Sequence, residues 1–222
     1  MEFWRAFAEL RASHDVLRHP FYARWNAGEL GTEELAHYAA EYRHAVLALA
    51  HASSGAAEAA SGDPELAAEL ADHAVEEREH IALWDAFLDA AGGRRTADPA
   101  PETLECAEVW AGDPERPLLR SLAALHAIES AQPAVARTKR VGLLTHYGYQ
   151  EGPATEYFRV HEERDVEHAE LSRVAIDRAL AAHRGSPAAR ARQEAELLSE
   201  AEAALRGNWL LLDGVERAAA AR

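Results

Sequence analysis

The hydrophobic and polar positions along this chain follow the spacing of helices. No stretch alternates apolar and polar residues over a useful length, as a half-buried strand does. The opening segment, MEFWRAFAELRASHDV, is instead amphipathic. Alanine, leucine, glutamate and arginine dominate the composition and β-branched residues are few, which favours helix. We therefore predict an all-α protein.

Glycine, proline and capping residues divide the chain into successive helices. Thr32 is typical of an N-cap, Gly92-Gly93 of a C-cap, and Gly185-Ser186-Pro187 of a break. The segment 53–65 is expected to form a weak helix or a kinked connection, ended by Gly62-Asp63-Pro64. The predicted helices cover about 2–17, a short stretch after Pro20, 32–52, 65–91, a stretch through Cys106, 121–148, 153–183 and 188–205, beyond which the chain continues as helix or frays.

A proline lies inside the predicted helix 121–148. Pro133 is expected to kink that helix and to free the backbone carbonyl four residues earlier, at Glu129. The kink therefore falls beside a carboxylate with apolar neighbours.

Length, charge and cysteine content bound the class of protein. We expect residues 1–222 to form one domain, with about 186–222 as a divergent helix. The single cysteine, Cys106, excludes an internal disulfide and fits a reducing cytoplasm, and the acidic N-terminal segment is unlike a signal or transit peptide. No apolar run approaches the roughly 20 residues of a membrane span. The net charge of -15 argues against a nucleic-acid surface.

Two histidines and an aspartate form a motif in the helix predicted for 153–183. At 3.6 residues per turn, His161, Asp165 and His168 lie on one stripe. Two imidazoles and a carboxylate suit a divalent metal such as iron or manganese. The alternative is a solvated charged face, which the neighbours Glu162 and Glu163 do form on another side of the helix.

Two further helices offer matching side chains. Glu76 and His80 are an i, i+4 pair, Glu77 and His80 are an i, i+3 pair, and His73 lies on the same face. Glu129 lies in the apolar segment ALHAIESAQP, where an unpaired carboxylate is costly to bury; its alternative is surface exposure. Three histidines and three carboxylates would suit a site for two metals with open positions for dioxygen.

These motifs resemble those of the CADD-like proteins in the TenA/PqqC-type, haem-oxygenase-like superfamily. HPFYARWNAGEL, YAAEYRHAV and IESAQPAVARTKRVGLL are similar to family segments, and the interval of 32 residues from Glu129 to His161 is similar to the family spacing. The resemblance implies a haem-oxygenase-like bundle of seven to eight helices. It also implies six metal ligands: Glu76, His80, Glu129, His161, Asp165 and His168. Because EEREH lacks an insertion usual in the family, Glu77 or His73 stays open as a replacement for Glu76.

The resemblance also implies a reaction. CADD-like proteins are held to make p-aminobenzoate from one of their own tyrosines with a lysine as amino donor, and the matching residues are Tyr22, Tyr38 and Lys139. A lysine on an apolar face is a plausible nucleophile on its own account, although Lys139 could equally extend to solvent and Tyr22 could be an ordinary core residue. The implied cofactors are two metal ions, iron or manganese, with dioxygen as co-substrate and an external reductant. A cytoplasmic homodimer is the family-like expectation.

Three other functions are weighed against this one. A di-iron oxidase acting on an exogenous small amino acid or fatty acid would use the same ligands. Hydrolysis of the TenA type needs a nucleophilic cysteine, which Cys106 does not match in position. A non-catalytic binding module would hold no metal.

Overall fold

A computed structural model of the chain describes residues 2–221, and every regular element in that range is helical. The all-α prediction is confirmed. If α6 and α7 are counted as one interrupted helix, the described range holds eight α-helices, as the sequence predicts. The elements are α1 (Glu2–Ser13), a 3-10 turn (Val16–Arg18), α2 (Pro20–Ala27), α3 (Thr32–Ala59), α4 (Pro64–Ala91), α5 (Pro101–Ala111), α6 (Leu118–Glu129), α7 (Gln132–His146), α8 (Pro153–Ala182) and α9 (Pro187–Ala220).

The predicted stop and start signals place the ends of α4 and α9. The Asp63 side chain accepts a hydrogen bond from the Leu66 amide at 3.2 Å at the start of α4. Gly92 ends that helix in the left-handed region, with φ of 78°. Ser186 caps α9 in the same way, accepting from the Ala189 amide at 3.2 Å. The helix that carries Glu76, Glu77 and His80 is therefore fixed at both ends by its own sequence.

Three expectations about helix bounds are wrong. The segment 53–59 continues α3: the Ser53 and Ser54 hydroxyls donate to carbonyls one turn back, and Ala56 is buried in the core. The first helix stops at Ser13, since Asp15 caps a separate 3-10 turn. Thr32 is the first residue of α3 rather than its N-cap, which is Gly31. The last helix continues to Ala220, one of the two predicted alternatives.

The long helix with Pro133 is interrupted rather than kinked. Helix α6 ends at Glu129, α7 begins at Gln132, and Pro133 lies in the first turn of α7, where its missing amide hydrogen costs little. The break makes Glu129 the last residue of a buried helix and turns α7 toward α8.

The site is formed where the long helices meet. Helix α4 packs on α3 and α8, and α8 also contacts α6 and α7. Helix α9 packs on α5 and α6. Over residues 2–221, no helix is both long and apolar enough to cross a bilayer. That the whole chain forms one domain stays a prediction.

Candidate metal centre

The stripe on α8 faces the interior. His161, Asp165 and His168 are all buried, while Glu162 on the other side of the helix pairs with Arg140. The His161 Nδ1 atom lies 2.7 Å from the Tyr157 carbonyl oxygen, so it carries the proton and donates to that oxygen. Its Nε2 atom, which has no hydrogen-bond partner among the described residues, keeps the lone pair that a metal binds.

Helix α4 presents three buried side chains to that stripe. They are His73, Glu77 and His80. The Glu77 Oε1 atom lies 3.2 Å from His80 Nδ1 and 3.7 Å from both His73 Nε2 and His168 Nδ1. Two groups of ligand atoms, each within 4.8 Å, share Glu77: one contains His73 and His168, the other His80 and His161. Glu77 therefore lies between two possible metal positions.

Two more carboxylates complete the interior. Glu129 Oε1 lies 3.0 Å from His73 Nε2, and Asp165 Oδ1 lies 3.6 Å from His168 Nδ1. Both side chains are fully buried, and none of their four oxygens has a hydrogen-bond partner in the described part of the chain. Such burial is costly without compensation. Divalent cations would compensate it, and the nitrogen and oxygen donors fit iron or manganese.

The structure does not bring Glu76 into these groups. Its side chain is 32% exposed, against 0% for Glu77. It accepts two hydrogen bonds from the Arg164 guanidinium, at 2.6 and 3.0 Å. Its Oε2 atom also lies 3.2 Å from His168 Nε2. Glu76 thus contacts the back of an imidazole whose other nitrogen faces Glu77 and Asp165, an arrangement that orients metal-binding histidines.

The interior sets opposite protonation states for its histidines. Burial lowers the pKa of His161 to about 4 and also lowers the pKa of His168. These two rings are therefore neutral at pH 7, the form that binds metal. Burial acts against charge on His73 as well, but Glu129 and Glu77 outweigh it and raise the pKa of His73 to about 10.

The carboxylates respond to the same crowding. Burial together with the charges of Glu77 and Glu129 raises the pKa of Asp165 well above its usual range. Burial also acts against ionisation of Glu77, but the neighbouring imidazoles of His73 and His80 hold its pKa well below the usual range. These opposite shifts follow from the close packing of the charged groups.

Lys139 lies in an aromatic enclosure next to this cluster. The side chain is 1% exposed, and burial lowers its pKa to about 7. The Nζ atom lies 3.9 Å from the centre of the Tyr42 ring, 5.4 Å from Tyr38 and 5.6 Å from Trp84. The alternative that Lys139 extends to solvent is thus excluded by its position in the structure.

Lys139 is also the only lysine in a sequence with 23 lysines and arginines. The other 22 cationic side chains are arginines, which cannot lose their proton in proteins. Lys139 therefore carries the one side-chain amine of the chain, and its lowered pKa lets that amine lose its proton near pH 7.

Tyr38 lies in the same enclosure, and Tyr22 lies beside it. Both are buried, and both contact Phe21, at ring distances of 5.4 and 4.7 Å. The Tyr38 ring lies 5.6 Å from the Tyr42 ring. Burial raises the pKa of all three phenols, so they are neutral at pH 7.

A row of rings joins the enclosure to the metal cluster. Tyr42 lies 4.9 Å from Trp84, Trp84 lies 4.8 Å from Tyr157, and Tyr157 stacks on His161 at 3.9 Å. Sequence reasoning missed Tyr42, Trp84 and Tyr157. The spacing could have indicated two of them. Tyr42 follows Tyr38 by one helical turn and Tyr157 precedes His161 by one turn, so each lies on the same helix face as a candidate residue.

Comparison with known proteins gives one consistent group of relatives. A family model described as an iron-containing redox enzyme matches residues 33–203. The 4-aminobenzoate synthase of Nitrosomonas europaea is 31% identical over 220 residues, covering 91% of this chain and 86% of that protein. The 4-aminobenzoate synthase of Chlamydia muridarum is 34% identical, covering 73% of this chain and 72% of that protein. The predicted resemblance to CADD-like proteins is confirmed.

Solved structures confirm the fold. A TenA homologue from Pseudomonas syringae has a TM-score of 0.78 at 16% identity, covering 97% of this chain and 91% of that one. A CADD-like protein from Nostoc punctiforme has a TM-score of 0.73 at 16% identity, covering 98% of both chains. The helices therefore form the predicted haem-oxygenase-like bundle.

Proposed function

Because the chain belongs to the family of iron-containing redox enzymes and is thus an oxidoreductase, we propose that it makes 4-aminobenzoate from its own Tyr22 and Lys139. The observation that carries this proposal is the position of the only lysine of the chain. It is buried among tyrosines, and a short row of contacting rings connects it to the metal cluster. The names of the relatives supply the product.

In this proposal two metal ions are held by buried donors of α4, α6 and α8. Glu77 takes the place that the family resemblance implies for Glu76. The distances support this choice, since Glu77 lies in both donor groups whereas Glu76 pairs with Arg164. The proposed ligands are Glu77, His80, Glu129, His161, Asp165 and His168. When bound, iron supplies the reduction of dioxygen and the oxidising power that the reaction needs.

Lys139 supplies the nitrogen. A nucleophilic amine must be unprotonated, and a pKa of about 7 leaves a large neutral fraction at pH 7 and above. The aromatic enclosure keeps water from the amine, and the faces of Tyr42 and Tyr38 hold it in place. Gln132 fixes the Tyr42 ring by donating a hydrogen bond to its hydroxyl at 3.0 Å.

A tyrosine side chain contains the seven carbon atoms of 4-aminobenzoate. Its ring and Cβ supply them when the Cα–Cβ bond breaks and Cβ is oxidised to a carboxylate. The phenol C–O bond is replaced by a bond to Nζ of Lys139, with the oxygen leaving as water. Oxidative cleavage of the Nζ–Cε bond then releases the amine and leaves Cε as an aldehyde. Dioxygen accepts the electrons, and an external reductant is the other co-reactant. Each chain therefore makes at most one product molecule.

Enclosure supports a self-derived substrate over an exogenous one. Every proposed ligand, Lys139 and the tyrosines Tyr22, Tyr38 and Tyr42 are buried. A small amino acid or a fatty acid would need a path into this interior. Burial of Cys106, which raises its thiol pKa, also speaks against hydrolysis of the TenA type.

The setting of the reaction is proposed on wider grounds. We take iron as the metal, with manganese as the other ion that this donor set accepts. A reducing cytoplasm suits the supply of electrons and the lone cysteine. A homodimer is the family-like expectation.

The test is product formation by protein loaded with Fe(II) without oxygen and then exposed to dioxygen and a reductant. Wild-type protein should form at most one 4-aminobenzoate per chain, and Tyr22→Phe should form none. Tyr149→Phe is the matched control, because Tyr149 lies outside the enclosure and is only half-buried. Full yield from Tyr22→Phe would exclude Tyr22 as the source. Many turnovers with an added amino acid or fatty acid would favour the exogenous substrate.

A further inference from the structure

We infer that His73 is a seventh metal ligand, so that each of the two metal positions is held by a pair of imidazoles. This inference rests on the metal centre of the proposed function. It adds a buried imidazole that lies against Glu77 and Glu129 in the metal-free protein and gives up its ring proton when a metal binds.

His73 occupies the position of a ligand without the bonds of a structural histidine. Its ring is buried on α4, and neither ring nitrogen makes a hydrogen bond within the described residues. Its Nε2 atom lies 3.0 Å from Glu129 Oε1, yet the direction of the ring does not suit a hydrogen bond to that oxygen. A histidine kept only to neutralise Glu129 would aim its N–H at the carboxylate.

The ring of His73 is paired with that of a proposed ligand. It stacks on His168 with the centroids 3.9 Å apart and the planes 29° apart. A nitrogen of each ring and an oxygen of Glu77 lie within 4.8 Å of one another. The two rings therefore present donors to one space from α4 and α8.

The second group is built in the same way. His80 on α4 and His161 on α8 lie 4.5 Å apart by their ring centroids and share Glu77 with the first pair. Each position thus receives one imidazole from α4 and one from α8. With Glu77, Glu129 and Asp165, the site has four nitrogen ligands and three carboxylates. Three carboxylates leave one positive charge when two divalent ions are bound.

Metal binding tests this role directly, apart from activity. Apo-protein is titrated with Mn(II) anaerobically and the affinity of each equivalent is measured, followed by a crystal structure of the loaded protein with anomalous data. Wild type should bind two ions, with a His73 nitrogen at bonding distance from one. His73→Ala should weaken one of the two binding steps by at least tenfold, and His73→Asn serves if the alanine variant does not fold. His44→Ala is the control, because the His44 ring bonds to the Ala97 carbonyl and belongs to neither donor group.

The outcomes separate this inference from the proposed function. Two unchanged affinities in His73→Ala, or a loaded structure with His73 bonded to neither ion, would overturn it. Two bound ions with His73 as ligand but no 4-aminobenzoate would sink the proposed function and leave the inference standing. A wild-type protein that binds no metal would end both.

Discussion

Two neighbouring interior regions hold charged groups in opposite ways. The metal cluster (His73, Glu77, His80, Glu129, His161, Asp165 and His168) crowds acids and imidazoles together. The lysine enclosure surrounds one amine, that of Lys139, with the rings of Tyr38, Tyr42, Trp84 and Phe158. Tyr22 lies beside these rings, against Phe21. In the cluster, like charges and unpaired oxygens call for cations. In the enclosure, burial alone makes the neutral form of the amine accessible. The difference assigns binding to one region and nucleophilic chemistry to the other.

The largest expected effect comes from breaking the cluster while leaving the enclosure intact. His161→Ala removes a fully buried nitrogen donor, so it should lower metal affinity by more than roughly 100-fold. That is more than the loss of a residue that only bonds to a ligand would cause. The variant should also form no 4-aminobenzoate. Metal analysis of the purified, reloaded protein measures this. Lys139→Met should still bind two ions, so loss of metal from that variant would contradict the division into two regions.

The second prediction concerns the lysine enclosure and is measured as the free energy of unfolding. The buried lysine binds its proton less readily than the unfolded chain, since its pKa falls from 10.5 to about 7. Between those values the unfolded state holds more protons, so stability rises with pH. Below pH 7 the charged amine costs on the order of 5 kcal/mol of folding free energy, at about 1.4 kcal/mol per pKa unit, before the ring contacts offset part of it.

Lys139→Met should therefore increase the free energy of unfolding, most at pH 6 and least near pH 10. Urea unfolding of both proteins across that range gives the comparison. Arg137→Met, a change at a more exposed neighbour on α7, should show no such trend. A gain that grows with pH would mean that the lysine is charged and stabilising in the folded protein.

The smallest expected effect tests whether Glu76 or Glu77 belongs to the metal cluster. Glu76→Gln keeps the size of the side chain but weakens its bonds to His168 and Arg164. We expect roughly tenfold weaker metal binding, as for an outer partner of a ligand. Glu77→Gln should cost far more, since Glu77 lies in both donor groups. Equal losses from the two changes would return Glu76 to the ligand set.

Much of this arrangement could be predicted from the sequence because local signals fix it. The caps at Asp63 and Ser186 mark helix starts, and the H-x3-D-x2-H spacing puts three donors on one face of α8. The break at Ser130 was harder to predict, since a proline inside a helical pattern allows either a kink or a new start.

The choice between Glu76 and Glu77 could not be made from spacing. Both stand within one turn of His80, and only the rotation of α4 against α8 turns Glu77 inward and Glu76 toward Arg164. The contact of Trp84 with Lys139 was equally hidden, because α4 brings Trp84 to α7 from a distant part of the sequence. Tertiary packing decides such contacts, and no local pattern encodes them.

Nitrogen tracing tests the central claim most directly. Lys139 is the only lysine, so protein grown with ε-15N-lysine carries that label at one residue. After loading with Fe(II) and exposure to dioxygen and a reductant, the account predicts 4-aminobenzoate with one 15N atom, at no more than one molecule per chain. Product without the label, or many molecules per chain, would contradict it.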